Sequence, residues 1–129
     1  MIISNVILEN LLAKYDKISL ECDGLTRVIS YILNENKINH KTMCGFVNFC
    51  MPNESPQVIS PHYWITIDER IIDYRLRMWL GNYNYVPHGI FIKNKNIDYF
   101  GQPINLVMNK TIFDILVTPW IKPSQIRAL

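Results

Sequence analysis

Cys22, His62 and Asp73 are the three side chains in this sequence whose types and order suit acyl transfer. A thiol attacks a carbonyl only as the thiolate, so it needs a positive field close by. An imidazole supplies that field and carries the proton. A carboxylate on the imidazole's other nitrogen fixes tautomer and orientation. Together the three form a constellation for attack on an amide carbonyl through a thioester. Cys22 is the second residue of the stretch "ECDGLTRVIS", and His62 and Asp73 lie 11 positions apart in "PHYWITIDERIIDYRLRMW".

The elements that must carry these residues follow from hydrophobic periodicity. Leu25, Val28, Ile29, Ile32 and Leu33 recur at the i, i+3, i+4, i+7, i+8 spacing of an amphipathic helix. Cys22 falls at the start of that helix, near its core-facing stripe, where the dipole and free N–H groups favour thiolate. Its own N–H is one donor for an oxyanion, and the second donor is unassigned. His62, Trp64 and Thr66 alternate with Tyr63, Ile65 and Ile67. A polar break at Asp68-Glu69-Arg70 follows, and alternation resumes from Ile71, which predicts a β-hairpin with strands over 62–67 and 71–77. A turn centred on Asp68 and Glu69 sets Asp73 opposite Trp64, one diagonal step from His62 on the same face. Trp64 then shields the His62–Asp73 pair from water.

Elsewhere, Leu8, Leu11, Leu12 and Tyr15 predict a helix over 5–16, capped by Ser4 or Asn5. "KTMCGFVNFC" reads as a strand, "MPNESP" and "LGNYNYVPHG" as loops, "IFIKNKNIDYF" as one or two short strands, and "NKTIFDIL" as a short helix. Helices first and hairpin-linked strands after make the class α+β, with N-terminal helices packed on an antiparallel sheet. The 129 residues suffice for one domain and are too few for two.

Apolar residues make up 49% and charged residues 19% of the chain, which is globular composition. A net charge of +2, with the basic residues scattered, argues against nucleic acid or an anionic membrane as partner. No apolar run approaches the roughly 20 residues of a membrane span. The N-terminus lacks a signal-peptide pattern. Three cysteines without regular spacing point to free thiols in a reducing compartment, hence the cytoplasm. Leaderless secretion or delivery into another cell would leave no trace.

In order, Cys22 at a helix start, the strand "TMCGFV", His62-x-Trp64 at the head of a strand and Asp73 after a turn resemble the transglutaminase-like branch of the papain-like cysteine enzymes. The resemblance covers about residues 20 to 80. It implies a papain-like core, a single catalytic domain over 1–129 and a protein or peptide amide as substrate. Cys22 would be the nucleophile, His62 the acid–base and Asp73 the orienting group. No cofactor or metal is implied. Hydrolysis and amine transfer stay equally open.

Other readings attach to the same residues. The fold without turnover would be a binding or inhibitory module. Arg70, Arg75 and Arg77, interleaved with aromatics, would suit nucleic acid. Asp68 is a rival orienter placed in the turn, and Asp73 has Arg75 and Arg77 as rival partners. A zinc site can be drawn from His40, Cys44, Cys50 and His62, without the paired spacing such sites show. Cys44 and Cys50 read as small buried hydrophobes, and His40 and His88 as surface or loop residues. Loops 51–60 and 80–90 flank the hairpin and are the candidates for substrate recognition.

Overall fold

The computed structural model describes residues 3–52, 54–106 and 108–118. Helix α1 (Asn5–Leu12) is capped by Ser4, whose side chain accepts from the Ile7 N–H. The periodicity predicted to reach residue 16 does continue, but tightens into a 3-10 helix over Ala13–Lys17. Helix α2 (Cys22–Glu35) buries the predicted stripe at Leu25, Val28, Ile29 and Leu33, with Thr26 and Ser30 beside it. Five strands follow: β1 (Lys41–Phe49), β2 (Gln57–Ile67), β3 (Arg70–Asp73), β4 (Gly89–Ile92) and β5 (Ile97–Pro103). A short helix, α3 (Leu76–Leu80), lies between β3 and β4, and α4 (Lys110–Val117) comes last. The sheet is antiparallel throughout, in the order β4-β3-β2-β1-β5. The chain is therefore α+β with an open five-stranded sheet.

Each face of the sheet has its own apolar cluster. Leu8, Leu12, Leu25, Ile29 and Leu33 from α1 and α2 pack on Ile65, Ile67 and Ile72. On the other face Val47, Phe49, Ile59 and Ile97 meet Leu76, Leu80 and Val86. Each fully buried Leu or Ile stabilises the fold by about 1.5–3 kcal/mol relative to exposure, so the two clusters fix the sheet between its coverings. Val86, in a segment expected to be a recognition loop, is spent on this core.

The hairpin register is as predicted: Ile67 pairs with Arg70, Thr66 with Ile71 and Ile65 with Ile72. Asp68 turns the chain at φ 47°, a left-handed conformation that Asp tolerates, and accepts from the Glu69 N–H. The second strand is shorter than its alternation suggests. β3 ends at Asp73, and Leu76–Leu80 is helical. The cause is local: the Asp73 carboxylate accepts from the Arg75 N–H two residues on, an Asx-type turn that takes the backbone out of the ladder. The expected loop 51–60 is also shorter, because β2 already begins at Gln57; Asn53 lies outside the described residues.

The sheet's middle is narrowed at two glycines. Gly45 pairs with His62 on one side and Gly101 on the other. A Cβ at Gly45 would run into the Phe100 carbonyl, and one at Gly101 would come within 2.7 Å of the Trp64 ring. The Trp64 ring thus reaches Gly101 on β5, beside His62.

Candidate active site

Cys22 is the first residue of α2, after Glu21, whose side chain makes no capping bond to the helix N-terminus. It sits half-buried where β2 runs past the end of β3. That gap in the pairing matters. The β2 register puts His62 on the face opposite Ile65, so α2 could not reach it through a continuous sheet. Among the described residues no strand covers this edge of β2 beyond Trp64, and there the Cys22 thiol comes beside the imidazole, near enough to raise its pKa.

His62 is fully buried. Its Nε2 lies 2.7 Å from Asp73 Oδ2. Asp73 Oδ2 also accepts from the Tyr99 hydroxyl at 2.8 Å, and Oδ1 from the Arg75 N–H at 2.9 Å. Three donors therefore fix this carboxylate from strand β5, from its own turn and from the imidazole. His62 Nδ1 is buried and has no hydrogen-bond partner. The thiol beside the ring does not close a bond of ordinary geometry to it, as often holds before substrate binds. Trp64 stacks on the imidazole, with centroids 6.1 Å apart, and Tyr99 closes on Trp64 edge-on at 4.8 Å.

Burial works against charging the imidazole, but the hydrogen bond to Asp73, the Cys22 thiol and their charges outweigh it and lift His62 to about 9. Burial and the adjacent Asp73 carboxylate hold the Tyr99 phenol well above its ordinary range, so it remains a donor. The sign of the consequence is clear. His62 has a folded pKa above its unfolded value near 6.5, so its charged form stabilises the fold fully below about pH 6.5. That contribution is lost as the pH rises through about 9. Asp73→Asn is expected to lower the His62 pKa by roughly one to three pH units, measured by NMR titration of the imidazole. An unchanged titration would mean that Asp73 does not govern this histidine.

Some expectations need correction. Arg70 and Arg75 are buried, not a solvated basic face. Arg70 binds Asp68, the Ile3 carbonyl and Asn5, while Arg75 turns to the segment before α2. Neither is available to a nucleic acid. Asp68 is engaged with Arg70 in the turn, away from His62. Cys50 is exposed and Cys44 half-buried, against the expectation that both are core residues. His40 and His88 lie in loops, as expected, but are half-buried and engaged: His40 with Ser30 and the Ile38 carbonyl, His88 with Asp16. Among the described residues no three His, Cys, Asp or Glu side chains gather as a metal site would require. Among the same residues no helix is long and apolar enough to cross a membrane.

Tyr99 and the backbone of Arg75 were not legible as partners of Asp73. "NIDYF" reads as an ordinary strand, and only the β1–β5 pairing brings Tyr99 to the site. In front of Cys22 opens a groove of about 520 Å³, bounded by Asp23, Val58, Pro61, Tyr63 and Trp79. Comparison with protein-family models, curated proteins and solved structures finds no match to this chain.

Proposed function

We propose that this chain is a small Cys-His-Asp hydrolase or acyltransferase, transglutaminase-like in its chemistry, acting on a protein or peptide amide. The observation that supports this most is the imidazole held between two partners. Asp73 occupies Nε2, the buried Nδ1 is left over, and the thiol of a helix's first residue is near enough to the ring to raise its pKa. A purely structural histidine buried this deeply would be expected to have both nitrogens satisfied.

The chemistry follows from that arrangement. The Cys22 thiolate adds to the amide carbonyl carbon, and the oxyanion faces the N–H groups of the first turn of α2. The C–N bond breaks as His62 gives the Nδ1 proton to the departing amine. Water or a second amine then attacks the thioester, His62 takes its proton, and Cys22 leaves as thiolate. Asp73 holds the ring throughout through Nε2, and Trp64 and Tyr99 keep water from the pair. The two outcomes, hydrolysis and amine transfer, share every residue named.

Thiol reactivity tests the reading. In competitive iodoacetamide labelling at neutral pH, followed by mass spectrometry, Cys22 should be alkylated faster than Cys44 or Cys50. The exposure of Cys50 sharpens the comparison, since access alone predicts the opposite order. Equal or slower reaction at Cys22 would leave a binding module without turnover as the better account.

A further inference from the structure

We propose that the groove before Cys22 takes an extended peptide segment that adds as a strand to the open edge of β2 and carries a basic side chain. This rests on the reading of Cys22 as the residue that is acylated, and names the substrate's form.

The first observation is the unpaired edge. β2 runs over Gln57–Ile67, yet β3 pairs only with Ile65, Thr66 and Ile67. Residues 57–59 therefore pair with β1 on one side, residues 60 and 61 bulge out of that ladder, and among the described residues no strand pairs with 57–61 on the other side. Among the described residues no backbone hydrogen bond outside the strand ladders reaches this stretch. Such an edge offers N–H and C=O groups to an incoming chain. Pro61 removes one donor and leaves the rest. At roughly 3.3 Å per residue, the stretch suits a segment of about five residues.

The second observation is where that edge lies. It runs along the groove between the start of α2 on one side and Trp79 and Leu80 of α3 on the other. A strand added here passes its carbonyls in front of Cys22. Its side chains alternate between the two walls. Trp79 and Val58 are 56% and 62% exposed, an apolar wall left in water that a substrate side chain would cover.

The third is charge. Glu21 and Asp23 flank Cys22 on the groove's rim, and among the described residues no lysine or arginine lines it. The chain as a whole is positive, so this local reversal selects against acidic segments and for a lysine or arginine beside the reacting carbonyl.

The test uses N-acetyl hexapeptides ending in a vinyl sulfone, and methyl vinyl sulfone as the bare warhead, with Cys22 modification read by mass spectrometry. A peptide with lysines and an aromatic residue should label at least roughly 10-fold faster than the warhead alone. Methylating alternate backbone nitrogens, or replacing the lysines by glutamates, should each remove most of that gain, as should Trp79→Ala; loss of one or two hydrogen bonds is worth about 10-fold. The same lysine peptide as its C-terminal amide, titrated into Cys22→Ala protein, should shift the backbone NMR signals of 57–61. Fast reaction with the bare warhead but no gain from any peptide, or no cost of N-methylation, overturns the edge proposal and leaves acyl transfer standing. Peptide shifts along 57–61 with a Cys22 inert to every warhead sink acyl transfer and keep the edge. A concentration-dependent dimer that protects 57–61 from hydrogen exchange assigns the edge to a second copy and overturns the peptide.

Discussion

Cys22→Ala and His62→Ala are each expected to lower turnover of a peptidyl coumarin amide by on the order of 10³-fold or more, with the double variant hardly worse than either. The expectation of non-additivity comes from the geometry. A thiol without the imidazole loses both its counter-charge and its proton carrier, and an imidazole without the thiol has nothing to activate. The two variants differ in what else they disturb. Cys22 is half-buried at a helix end, so its alanine variant should fold normally. His62→Ala leaves Asp73, which is 4% exposed, with only Tyr99 and the Arg75 N–H as partners, and should also be less stable. Added imidazole separates the two effects. Rescue of His62→Ala activity, with no change in melting temperature, would locate the loss in proton transfer. Additive losses in the double variant would show that the two residues do not act as one unit.

What the sequence discloses divides by range. The α2 stripe and the β2–β3 register are local patterns, so Leu25, Ile29 and Leu33 and the Ile67–Arg70 pairing could be read directly. The same register carried one step on places Asp73 across from Trp64, and the hydrogen bond to His62 follows from it. The end of β3 was illegible because alternation persists through "YRLRMW", while the force that breaks it is a side-chain bond from Asp73 to its neighbour's backbone. Arg75 and Arg77 follow one another at strand spacing, and nothing local says that Arg75 faces in. Apart from the Tyr74 carbonyl, its partners lie 55 to 59 positions earlier. Tyr99 meets Asp73 across 26 positions and two intervening strands, and periodicity carries no information at that distance. The exposure of Cys50 follows from the alternation that buries Val47 and Phe49, which turns the next residue outward; only its residue type argues for the core.

Arg75 is expected to be the costliest single polar residue to lose. Its guanidinium, nearly buried, donates to the carbonyls of Asp16, Ile18, Leu20 and Tyr74 and to the Asp16 carboxylate, at 2.6–3.0 Å. Three of those carbonyls belong to the run from the end of the 3-10 helix to Leu20 that delivers the chain to Cys22. Meanwhile the Arg75 N–H holds Asp73 Oδ1. One residue therefore positions the approach to the nucleophile's helix and the carboxylate behind the base. A planar fork with five N–H donors fits this ring of acceptors, and an ammonium does not. Arg75→Met should destabilise by at least about 3 kcal/mol, because several carbonyls lose a charged donor. The lower end of the range applies, since the Asp16 side chain is one-third exposed and keeps His88 as a second partner. In thermal unfolding that is a fall of roughly 10 °C. Arg75→Lys should recover less than half of it. A methionine variant within about 1 kcal/mol of the native protein would show that the 16–20 segment is held without this guanidinium. Below its melting point the Arg75→Lys protein should also lose much of the Cys22 alkylation advantage, because a loosened 16–20 run lets the thiol move off His62, while the reactivity of the exposed Cys50, whose N–H is held by the Asn96 carbonyl, stays as it was.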